Sequence, residues 1–154
     1  MTDTSAVAEA AIRLSKQKDA AALELLIGMR ARAIESNPAL ANDAEFDPNY
    51  ETRTMGALDE AKQLGIKIVN RWNRELYEIV CAGDDRNRKE RVDILNAMNL
   101  GEAAVIATVA SVLLGSGLSA ALAAAVAPLL VKRFIWPAKE ELCLAWREWI
   151  KAAG

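Results

Sequence analysis

No histidine occurs anywhere in this chain of 154 residues. That absence removes the imidazole base on which serine and cysteine nucleophiles usually depend, histidine metal sites, and the Glu-x-x-His di-iron pattern. Cysteine is scarce as well. Cys81 and Cys143 stand far apart without Cys-x-x-Cys spacing, which suits a reducing compartment and leaves a single disulfide open. No sign of charge dominates: 21 acidic against 19 basic side chains give a net charge of −2, so no global field draws nucleic acid or an anionic membrane. The first residues carry no basic stretch leading into an apolar one, and a secretory signal is not expected. Together these absences lead to the expectation of a cytoplasmic, non-enzymatic protein with no cofactor, metal, nucleic-acid partner or small-molecule substrate. Carboxylates, lysines or a tyrosine could still do acid–base work, so enzymatic chemistry stays as a minor alternative.

Charge of either sign is missing from 29 consecutive residues, Ala103 to Val131. Roughly 20 apolar residues can cross a bilayer, yet the same stretch can fold as two buried helices turning at Gly115, Ser116 and Gly117. On one continuous helix Ala103, Ala107, Ser111, Gly115, Ser119, Ala123 and Ala127 would form a ridge of small side chains that lets another backbone approach. Leu114, Leu118, Leu122, Val126 and Leu130 would form a second row. Lys132, Arg133 and Phe134, followed by Trp136, have the order expected where a helix meets headgroups. A hairpin, by contrast, has arms of about 12 and 14 residues, roughly 18 and 21 Å, too short for hydrocarbon of roughly 30 Å. The buried hairpin is the expected form, with membrane association as the alternative.

Elsewhere apolar residues recur by threes and fours and nowhere by twos, which predicts an all-α single domain, a bundle of about seven helices around the alanine-rich hairpin. A first helix covers about Ser5 to Gln17, with Val7, Ala11 and Leu14 on one face. Asp19 is placed to cap a second, carrying Leu23, Leu26, Ile27 and Ile34. Residues 36–50, rich in Asn and Asp and holding Pro38 and Pro48, read as one long loop. A third helix runs from about Thr52 to Cys81 with a stripe at Leu58, Ala61, Gly65, Val69, Trp72, Leu76 and Ile79, and Gly65 is expected to mark a close helix contact, with a kink as the alternative. After Gly83-Asp84-Asp85 a shorter helix carries Val92, Leu95 and Met98 and stops at Gly101. Trp136-Pro137 opens the last helix, with Glu140 and Glu141 near its start, Arg147 and Lys151 near its end, and Leu142, Cys143, Trp146, Trp149 and Ile150 as its apolar face.

Other clusters have plain readings. Arg86, Arg88, Lys89 and Arg91 are interleaved with Asp84, Asp85, Glu90 and Asp93, so their field largely cancels on a solvated face. Glu75 with Glu78, and Asp59 with Glu60, lack the matching set a metal needs. Cys81 sits near two aspartates, which disfavours a thiolate, and Cys143 reads as a small hydrophobe. Three of the four tryptophans fall within the last twenty residues. Trp136, Trp146 and Trp149 with Leu142 are therefore the candidate surface for a protein partner or a second copy. The function expected is an assembly or regulatory component of a larger or self-associated complex. The alternative is a membrane-acting effector, of toxin or defence type, that inserts residues 103–131.

Overall fold

In the computed structural model residues 4–48, 55–81, 85–137 and 142–153 are described. Among them the chain forms seven α-helices and no strand: α1 (Thr4–Gln17), α2 (Ala20–Ser36), α3 (Met55–Cys81), α4 (Arg88–Met98), α5 (Glu102–Gly115), α6 (Ala120–Leu130) and α7 (Leu142–Ala153). The all-α bundle read from the spacing is the fold. Asp19 separates α1 from α2: its extended backbone leaves the helical path, and its carboxylate accepts the Ala22 amide at 2.8 Å. Such a cap satisfies one of the free donors of a first turn and is worth about 1 kcal/mol.

Helices α2 and α3 touch backbone to backbone. A Cβ on Gly28 would lie 1.6 Å from the carbonyl oxygen of Ala61, and one on Gly65 would lie 1.9 Å from that of Glu24. Only hydrogen fits at either point, so the close contact read at Gly65 has its partner glycine on α2. The segment expected as a bare loop holds more structure than its composition suggested. Pro38–Asn42 form a 3-10 helix, Ala44 and Pro48 are buried, and Glu45 forms an ion pair with Arg13 of α1. Residues 49–54, including the expected start of α3 at Thr52, lie outside the described residues.

The centre of the molecule is the α5–α6 hairpin. The Leu118 amide donates back to the Leu113 carbonyl at 3.0 Å, and Gly117 takes a φ of 104°, a conformation open to glycine at no steric cost. Ser119 then caps α6. Every residue of α6 except Leu122 is buried, because α1, α2 and α5 pack around it. A helix apolar on all sides requires neighbours on all sides. Pro128 lies within α6; it has no amide hydrogen, and its ring crowds the preceding turn. Directly after it the helix widens into a π-helical turn, Val131–Ile135, closed by the Trp136 amide on the Val131 carbonyl at 2.8 Å.

The start of the last helix falls partly outside the described residues, and the inner face of α4 differs from the one expected. Trp136 and Pro137 sit in a turn after the π-helical segment, and α7 is described from Leu142, so Glu140 and Glu141 lie outside the described residues. On α4 the buried face is Ile94 and Ala97, with Met98 packed beside them, while Val92 and Leu95 point outward. Of the stripe read from the sequence only Met98 faces the core; Ile94, Ala97 and Met98, at spacings of three and four, make the inner face.

Candidate functional site

Glycines 115 and 117 split the row of small residues into two unlike halves. On α5, Ala103, Ser111 and Gly115 are exposed and Ala107 is half-buried, so this ridge faces outward. Ala123 and Ala127 on α6 are fully enclosed, and Ser119 is spent on the cap. Leu118, Val126 and Leu130 are buried, whereas Leu114 and Leu122 are partly buried against the core. No helix among the described residues is long and apolar enough to cross a membrane.

The residues that resembled a headgroup flank make internal contacts. Lys132 donates from Nζ to the carbonyls of Ser15 and Lys18, the latter at 2.9 Å, and so satisfies acceptors left free at the end of α1. Arg133 pairs with Glu24 at 2.8 Å, the carboxylate being largely shielded from solvent, and Phe134 is buried. A third cation is Arg30, only 2% exposed, whose Nη1 donates to the Ala121 carbonyl at 2.7 Å. Sequence reasoning passed over Arg30. The signal was there: it falls seven residues after Leu23, three after Ile27 and four after Leu26, on the apolar stripe of α2 where a charge must find an internal partner.

The last helix is turned inward. Trp146 is fully buried, its indole nitrogen donates to Oδ1 of the buried Asn73 at 2.6 Å, and its ring meets Tyr77 edge-on with centroids 5.7 Å apart. Leu142 is buried and Trp136 packs partly against the core. The side chain of Trp149 lies outside the described residues. Cys143 forms a disulfide with Cys81 across 62 residues, with Cα atoms 5.5 Å apart, a separation typical of such bonds. The two thiols read separately from the sequence are thus one bond, and neither is a free side chain.

What the structure leaves on the outside is different. Among the described residues the exposed large apolar side chains are Val92 at 45%, Leu95 at 45%, Leu100 at 80% and Leu144 at 54%. Three of the four fall within residues 92–100, at the α4 end that leads into the small-residue face of α5. Single exposed leucines are ordinary, whereas here Val92 and Leu95 are one helical turn apart and Leu100 follows just past the end of α4. Arg88 is exposed seven residues before Leu95, and Glu102 is half-buried seven residues after it. Lys89 donates to Asp93 at 3.0 Å, and that hydrogen bond, then its charge, raises the lysine pKa above its ordinary value. Arg86 and Arg91 also have interactions, so the basic cluster is engaged with its neighbours.

An open cleft of about 770 Å³ lies where the end of α2 faces α3, lined by Arg32, Glu35, Ser36, Asn37, Glu60 and Lys67 among others. Arg32 and Glu60 pair across it at 3.1 Å. Glu75 and Glu78 are exposed on α3, and among the described residues no three side chains of metal-ligating type come together. Compared with protein families, curated proteins and solved structures, the chain matches none.

Proposed function

We propose that this chain acts by protein contact, as a self-associating helical component, and that a second copy docks on the outer face of α4 and the start of α5. The observation that carries this reading is the cluster of Val92, Leu95 and Leu100 in solvent. A second copy fits because the charges are self-complementary. Arg88 opens α4 and Glu102 opens α5, seven residues to either side of Leu95 in the sequence, and a two-fold contact centred on Leu95 would turn Arg88 of each copy toward Glu102 of the other. Opposite charges at both ends and leucine at the middle match an apolar centre with a polar rim. The small outward residues of α5 allow close approach at the edge. Sedimentation equilibrium tests it: the wild type associates at high micromolar concentration, and Leu95→Glu is monomeric with unchanged helicity. A wild type that stays monomeric would remove self-association as the mode of action.

A second reading is a membrane-acting effector that releases the hairpin. It is favoured by one observation, the charge-free hairpin enclosed by amphipathic helices, which would have to open for residues 103–131 to reach lipid. Arm length opposes it, since α5 spans about 21 Å and α6 with its π-helical turn about 24 Å, against roughly 30 Å of hydrocarbon. Dye release from vesicles, lost in Leu122→Lys, is the result that would favour it. The sequence suggested the cytoplasm, but a disulfide persists in oxidising surroundings and is opened by cytosolic thiols, so the two considerations pull apart at Cys81–Cys143.

A further inference from the structure

We infer that the Cys81–Cys143 disulfide is a redox-operated latch that fixes α7 on α3, and that reduction lets α7 detach while the α1–α6 core stays folded. Three observations on one row of α3 lead to it. Asn73, Tyr77 and Cys81 follow at steps of four, so they share one face of the helix. Each of them meets α7: Asn73 accepts from the Trp146 indole, Tyr77 lies against its ring edge, and Cys81 is bonded to Cys143. The bond therefore pins the first turn of α7, and Trp146 holds the turn after it.

Position separates this helix from the rest. It packs chiefly against α3 and the π-helical turn, whereas the hairpin is surrounded by α1, α2 and α4. Away from α3, α7 shows Leu144, Arg147, Glu148 and Lys151 to solvent. An element with few internal neighbours opens at lower free energy than one enclosed on all sides. The bond supplies the missing hold by keeping the two helix ends together, and that constraint vanishes when it is cut.

The bond is also reachable. Cys143 is exposed and Cys81 is half-buried, so the bond lies at the surface of the bundle, where exchange with a thiolate takes place. A dithiol serves as reductant. One of its thiolates attacks a sulfur of the bond and expels the other cysteine as thiolate, which takes up a proton. The second thiol of the reagent then attacks the mixed disulfide and frees the remaining cysteine. Two electrons pass to the protein, which ends with two thiols, and the dithiol ends as a cyclic disulfide. Detachment then bares the row of Asn73 and Tyr77 on α3 together with the indole of Trp146. This inference stands apart from self-association through α4, since neither cysteine belongs to that face.

Hydrogen exchange on the full-length protein, oxidised and then treated with dithiothreitol, tests it. The expected result is amide protection across residues 142–153 lower by about tenfold or more after reduction, with α6 changed by less than about twofold. The Cys81→Ser/Cys143→Ser variant should match the reduced protein and ignore the reagent. Unchanged protection in α7 would overturn the inference, because the bond would then be passive. An equal loss in α6 would overturn it too, because the bond would then hold the whole fold.

Discussion

Helices α5 and α6 are built from nearly the same residues and end in opposite surroundings. Both arms are rich in alanine, valine and leucine and carry no charge beyond Glu102. Yet α6 is enclosed along ten of its eleven residues, while α5 turns Ala103, Ser111 and Gly115 to solvent. Composition describes how much apolar surface an element has, and only its neighbours decide how much of it is covered. The arm between α1, α2 and α5 becomes the interior. The outer arm, next to α4, is left with a smooth face of small side chains in solvent.

The sharpest way to break this contrast is to place one charge on each arm. Ala124→Asp puts an unpaired carboxylate into the enclosed helix and should cost about 5 kcal/mol or more, enough to prevent folding. Ser111→Asp on α5 should change stability by less than about 0.5 kcal/mol. Urea denaturation of the two variants decides it, and equal costs would dissolve the distinction. Next in size is the α2–α3 crossing. Gly65→Ala improves helix propensity by about 1 kcal/mol but drives a methyl group into the Glu24 carbonyl, and overpacking of this kind costs about 3 kcal/mol. The net loss should appear as a lower denaturation midpoint, with Gly28→Ala behaving alike.

Trp146→Phe removes the indole donor and leaves Oδ1 of buried Asn73 unpaired, for a loss of about 1–3 kcal/mol. Adding Asn73→Leu should recover most of it, because an apolar pair leaves no group unsatisfied; a double-mutant cycle in urea reads the coupling. Smallest is the exposed Lys89–Asp93 pair. The raised lysine pKa means that its contribution is complete below the ordinary value of 10.5 and is lost as pH rises through the higher folded value. Since Lys89 is fully exposed, Lys89→Met should give the same thermal midpoint as wild type on both sides of that range, by calorimetry.

Much of the architecture was legible because it rests on local rules. Asp19 announced a helix start, the Gly115-Ser116-Gly117 step announced the hairpin, and Gly65 announced a close crossing, each through a conformational or steric need of one residue. What escaped was relational. Val92 and Leu95 have helical spacing as good as that of Ile94 and Ala97, and only the position of α5 selects between the two faces. Lys132 and Arg133 follow an apolar run as they would at a membrane edge, and only folding brings the end of α1 and Glu24 to them. The tryptophans of the last helix suggested an outward anchor, but Asn73, seventy-three residues earlier, gives the Trp146 indole an internal partner. Pairing of Cys81 with Cys143 was open in the sequence, since 62 residues separate them and no spacing rule spans that distance.

The central claim is that Ala103–Val131 is a hairpin packed into the helical bundle, with α6 enclosed and one face of α5 in water, and not a lipid-inserting segment. Flotation of the purified chain with anionic vesicles, followed by a carbonate wash, tests it directly. The account predicts protein that stays in the dense fractions or is washed off the lipid. Protein that floats and resists carbonate would contradict it, and would make the hairpin a lipid-inserting element.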